Sequence, residues 1–152
     1  MIDLESTSTR AQILQALGEN CQNLLARLPS GTETEAQIYW ARRQLKPTEL
    51  PALVITPGIE TAERDYGTDI LSLPVSISVA VLLGSHNALD LGEMLLAELR
   101  TVVPGTDPTF NGLATDTVYT EGGVDDYPEN QEQALVVNTT FTITYETSAN
   151  QP

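Results

Sequence analysis

QALVVNTTFTITYET, residues 133 to 147, is the stretch whose reading decides the fold. Counting back from Tyr145, alternate positions give Ile143, Phe141, Thr139, Val137 and Leu135, with Thr144, Thr142, Thr140, Asn138, Val136 and Ala134 between them. Side chains on an extended chain point alternately to two faces, so this period of two predicts a long strand with one buried and one wetter face. A strand of that length needs partners. LPVSISVAVLLG, residues 73 to 84, supplies the clearest one: Leu73, Val75, Ile77, Val79, Val81 and Leu83 alternate with Pro74, Ser76, Ser78, Ala80 and Leu82, and Gly84 closes it. Its apolar face is suited to receive a helix.

Two helices are predicted. In the first, over residues 9 to 28, Ile13, Leu14, Leu17, Cys21, Leu24, Leu25 and Leu28 recur at three- and four-residue spacing, and Thr9 with Gln12 has the form of a capping box. Pro29, Ser30 and Gly31 end it. The second runs from Asn87 to Val103, with Asn87 and Asp90 at its cap and Leu89, Leu95, Leu96, Leu99, Val102 and Val103 on its apolar side. Pro104 and Gly105 stop it.

Shorter elements fill the rest. Leu53 to Thr56 reads as a short strand, and its flanking Pro51 and Pro57 predict an edge position or a short ladder. Residues 57 to 72 read as a polar loop or an exposed hairpin, and ATDTVYT at 114 to 120 as a strand with Thr115, Thr117 and Tyr119 on one side. The acidic, turn-rich EGGVDDYPENQE at 121 to 132 then predicts a long hairpin tip before the last strand. The expected order is helix, strand, strand, helix, strand, strand. The expected class is α+β: an antiparallel or mixed sheet with two amphipathic helices packed on one face.

Composition narrows the function. At 152 residues the chain is expected to be one domain, residues 1 to 152, with flexible termini at 1 to 8 and 148 to 152. Seven basic residues against 21 acidic ones give a net charge of -14, which repels phosphates and argues against reading DNA. Cys21 stands alone, which excludes an internal disulfide, and its place on a helical stripe predicts a small core residue. The opening MIDLESTSTR has neither the basic start nor the apolar run of a signal peptide, and no stretch approaches the roughly 20 apolar residues of a membrane span.

Catalytic patterns are sparse. Gly122 and Gly123 lie in acidic surroundings with no following lysine, unlike a phosphate loop. His86 is the single histidine, so a multi-imidazole metal site is excluded and a Ser-His-Asp arrangement would rest on it alone. Asp125, Asp126, Glu129 and Glu132 are hard-cation ligands by type, but their spacing is not that of an EF-hand, and a solvated tip explains them. Tyr39, Trp40, Arg42 and Arg43 gather residue types enriched where proteins meet proteins, the alternative being that Trp40 covers the end of the core.

Taken together, the amino-terminal helix, RRQLKPTELPALVITPG at 42 to 58, LPVSISVAVLLG leading into NALDLGEMLLAELRTVV, and the closing QALVVNTTFTITYET resemble the tail terminator proteins of long-tailed, siphophage-type bacteriophages. The resemblance covers residues 10 to 147 and lies in element order and texture. It implies a structural virion protein, not an enzyme, with no cofactor and no metal. Such a protein forms a ring, typically a hexamer, on the head-proximal end of the tail tube, stops tube polymerisation and offers a head-joining surface. Its implied partners are other copies of itself, the tail tube protein and a head-completion or connector protein, with no membrane. DNA would pass through the channel without specific binding, and the chain would be assembled in the host cytoplasm. On that reading Tyr39, Trp40, Arg42 and Arg43 are interface candidates, and Asp125, Asp126, Glu129 and Glu132 are lumen or docking acids. A head-completion or neck ring protein of the same particle is the alternative. A small metal-dependent hydrolase using those carboxylates and His86 is a third reading.

Overall fold

The computed structural model describes residues 8–25, 28, 37–41, 45, 49–128 and 134–148. Two helices and a six-stranded mixed sheet make an α+β fold, in the order α1 (Thr9–Leu25), β1 (Gln37–Trp40), β2 (Ala52–Pro57), β3 (Thr61–Asp65), β4 (Thr68–Leu82), α2 (Ala88–Val102), β5 (Asp116–Asp126), β6 (Ala134–Ser148). Across the sheet the strands run β1-β2-β4-β6-β5, with β3 also on β4. Among the described residues only β1 and β2 are parallel; the other pairs are antiparallel.

The two strands with the strongest alternation are partners along their whole length. Leu73 faces Ile143, Val75 faces Phe141, Ile77 faces Thr139, Val79 faces Val137 and Val81 faces Leu135. All ten are buried, and they join one core with Ile13, Leu17, Cys21 and Leu24 of α1 and Leu91, Leu95 and Leu99 of α2. The single polar member, Thr139, donates its hydroxyl to the Ile77 carbonyl at 2.7 Å, which removes the cost of burying it. The opposite face holds a smaller cluster, Leu50, Ala52 and Ala80 with Tyr39 and Val136 beside it.

Several expectations are corrected. The first helix is capped one residue early: the Ser8 hydroxyl accepts from Ala11 N at 3.1 Å, and Thr9 is already helical. Both residues can cap; Ser8 does so because its oxygen reaches the free amides of the first turn. The described helix runs to Leu25, residues 26 and 27 lie outside the described residues, and Leu28, expected to be its last residue, is no longer helical, although it is buried and its amide donates to Leu25 O at 3.3 Å. Pro29, Ser30 and Gly31 lie outside the described residues. Asn87 caps α2 as expected, its side-chain oxygen accepting from Asp90 N at 3.2 Å, but Leu89 is 56% exposed and off the apolar side.

β2 is an inner strand between β1 and β4, because Pro51 precedes it and Pro57 is its last residue, so neither interrupts the ladder. Pro74 lies inside β4 where the partner changes: β2 ends at Pro57 opposite Val75, and β3 begins at Thr61 opposite Ser72. In that gap the Pro74 carbonyl accepts from Gly58 N at 2.7 Å. Residues 57 to 72 resolve into the exposed hairpin, with β3 solvent-facing throughout. β5 runs on past residue 120, so Gly122, Gly123 and Asp125 stand in a strand and not in a loop tip. Register shifts at Tyr119/Glu121 and Val124/Asp126 let that acidic segment pair with β6 despite its broken alternation. At the ends of the chain, Ser8 caps α1 and Ser148 pairs with Thr68; the rest of the expected flexible termini lies outside the described residues.

Candidate assembly surface

β1 carries two of the proposed interface residues, and strand alternation sends them to opposite faces. Tyr39 is half-buried beside the outer cluster of Leu50, Ala52 and Ala80. Trp40 turns toward α1, where a β-carbon on Gly18 would lie 3.0 Å from its ring. A glycine on the helix thus lets the indole lie close, yet 45% of Trp40 remains exposed beside a recess of about 510 Å³ between α1 and β1. Trp40 therefore covers the core margin and is still available to a partner. Arg42 and Arg43 lie outside the described residues.

The proposed acids are divided as well. Asp125 is exposed at the second register shift of β5, Asp126 pairs with Val136, and Glu129 and Glu132 lie outside the described residues. Asp125 stands on the wall of a recess of about 370 Å³ on the outer sheet face, whose lining includes Leu50, Val54, Ala80, Val136 and Asn138. No group of three or more His, Cys, Asp or Glu side chains able to hold a metal occurs among the described residues. His86 is exposed in the turn between β4 and α2, its amide donating to Leu83 O at 3.2 Å. Cys21 is fully buried, and desolvation pushes its thiol up to about 12. Among the described residues no helix is long and apolar enough to cross a membrane.

The β3–β4 hairpin is the feature that sequence reasoning left without a role. Its turn is two residues, Tyr66 and Gly67, both with positive φ, 50° and 85°. Tyr66 is 103% exposed and Ile59, just before β3, is 86% exposed. The arm is tied down at two places. Across the hairpin Arg64 Nε meets Asp69 Oδ1 at 3.1 Å. At its base Glu60 accepts the Tyr145 hydroxyl and lies 3.5 Å from Arg10 of α1. The only signal in the sequence was the Tyr-Gly pair, and an aromatic before glycine does not announce a turn as Asn-Gly does.

On the opposite margin of the sheet, β5 exposes Asp116, Glu121 and Asp125 over a close-packed inner side. Tyr119 meets Phe141 edge-on, with centroids 5.6 Å apart and planes at 65°, and the Arg100 guanidinium lies 5.7 Å from the Tyr119 centroid. A β-carbon on Gly92 of α2 would come within 2.6 Å of Val124, so that glycine sets how closely helix and strand approach.

No protein-family model matches this chain, and no curated protein does.

Proposed function

We propose that this protein is a structural ring subunit that caps the head-proximal end of a bacteriophage tail tube, stopping its growth and joining it to the head. The reading rests on the resemblance of element order and texture to tail terminators. One structural observation supports it most: the buried run of β4 begins at Leu73, while its first five residues are only half-buried and β3 beside them is exposed throughout. The sheet thus carries an arm beyond its core, on a chain whose largest investment, the fifteen-residue pair β4 and β6, is structural. A closed ring needs a heterologous contact, in which one patch meets a different patch on the next subunit. An arm at one end of a sheet offers one such patch.

On this reading the protein makes and breaks no covalent bond and takes no cofactor or metal. Its partners are its own copies, the tube protein on one side and a head-completion or connector protein on the other. The net charge of -14 suits a channel wall past which DNA moves without sticking, with Asp125 and Asp126 on the channel or a docking face. The test is negative-stain imaging of the purified protein with its solution mass over a range of concentrations. Rings with a central hole support the proposal; a monomer at every concentration, also in the presence of tail tubes, refutes it.

A further inference from the structure

The outer face of the sheet changes character along its strands. Val54, Ser78, Asn138 and Gly123 are register partners across β2, β4, β6 and β5, a transverse row of about 14 Å at roughly 4.8 Å per strand. To one side of that row lie Ala52, Ala80 and Val136, and to the other Thr56, Ser76, Thr140 and Glu121. The recess of about 370 Å³ sits over this boundary, with Val54, Ala80 and Val136 on its apolar side and Ser78, Asn138 and Asp125 on its polar side. A second recess of about 280 Å³, lined by Glu121, Gly122 and Gly123 among others, shares Asp125 and Asn138 with the first. The two make one trough from the middle of the sheet to its β5 margin.

Gly123 stands where the trough reaches that margin, and the fold gives no reason for a glycine there. A β-carbon on it would meet nothing within 4 Å, and its backbone is not in the left-handed region that favours glycine. Gly122 differs, since a β-carbon on it would lie 2.6 Å from the Tyr119 hydroxyl. Glycine inside a strand weakens it, so one without an internal reason marks a place where another chain comes close. Charge selects that chain. Asp125 and Glu121 are exposed, and neither recess has a cation among its described lining residues. A net charge of -14 repels a second copy and attracts a basic segment. An apolar floor that ends at a carboxylate fits arginine or lysine, whose methylene stems lie on apolar surface while the charged head stays wet.

We infer that this trough binds a basic, extended segment of a partner protein, with an arginine or lysine stem over Val54, Ala80 and Val136, its cation on Asp125, and the segment's backbone passing close to Gly123. The inference goes beyond the ring reading and stands without it. The probe is a fluorescent ten-residue peptide of alternating arginine and threonine, followed by anisotropy, with a glutamate-threonine peptide as control. Wild type should bind the first peptide and not the second. Gly123→Val fills the gap with a side chain suited to a strand, so it should keep or raise the melting temperature and weaken binding about tenfold or more. Asp125→Asn should also weaken binding about tenfold, the loss of a charge-assisted contact. Glu63→Gln removes the same charge on the exposed β3 and should change binding by less than about twofold. Equal losses in Asp125→Asn and Glu63→Gln would show attraction to the overall charge and overturn the site. Gly123→Val binding as wild type does, or no wild-type binding, overturns it as well. Wild-type self-association that Gly123→Val abolishes would assign the trough to a second copy and overturn the basic partner.

Discussion

Tyr145, near the end of β6, donates its hydroxyl to the carboxylate of Glu60, 85 positions earlier in the connection between β2 and β3. Arg10 Nη1 lies 3.5 Å from the same carboxylate oxygen. The first turn of α1, the base of the arm and the closing strand therefore meet at one anion.

Replacing Tyr145 by Phe should cost about 1 kcal/mol, the net worth of one hydrogen bond, while the ring stays packed. Its pH signature is specific. Burial first, then the bond to Glu60 and its charge, raise the phenol above its ordinary value near 10. The folded state thus holds that proton more tightly than the unfolded chain. The contribution is intact below about pH 10 and is lost as pH rises above it. Urea midpoints measured from pH 8 to 11 should fall more steeply for wild type than for Tyr145→Phe; parallel curves would contradict the assignment.

The turn after α2 titrates at the other extreme. The Asp107 carboxylate accepts from Thr109 N at 2.9 Å, Thr109 Oγ1 at 2.6 Å and Asn111 N at 3.0 Å. These bonds, the Thr109 hydroxyl first, hold its pKa below the ordinary 3.8. Here the folded state favours the ionised form, so the stabilisation is present above about pH 4 and is lost as pH falls through the lowered value. Asp107→Ala should lower the melting temperature at pH 7, and the gap to wild type should close toward pH 2. A gap independent of pH would show that the carboxylate does not brace this turn.

Close approach of α2 to β5 gives a packing test. Gly92→Ala places a methyl group within 2.6 Å of Val124 Cγ2, an overlap expected to cost about 1–3 kcal/mol. Val124→Ala removes the obstructing methyls, so the double variant should recover part of the loss. Strict additivity in the cycle would mean that the two positions are not in contact.

Cys21 should be inert in the native protein. Its thiol is fully buried and pushed up to about 12, which leaves almost no thiolate near neutrality. A thiol-disulfide reagent at pH 8 should react only as fast as the chain opens, and rapidly in denaturant. Immediate reaction without denaturant would contradict this burial.

What could be read from sequence follows from where periodicity survives. β4 and β6 were legible because each buries one full face, and the Asn87 cap of α2 because its side chain and the Asp90 amide are local in the chain. β1 was missed because it is only four residues long and its Tyr39 and Trp40 read as a patch instead of an alternation. β3 has no apolar pattern to read, since all five of its residues are exposed. The second half of β5 looked like a loop because two register shifts break the period of two just where the acids fall. The site was less legible still. The recess draws Leu50, Ala80, Asp125 and Val136 from four separate parts of the chain, and spacing carries no trace of that.

The central claim is most directly tested on tail tubes. Purified protein added to polymerising tube subunits should appear at one end of each tube by labelled imaging, and capped tubes should stop lengthening. Continued growth with the protein present, or protein found along the tube wall or absent from it, would contradict the account.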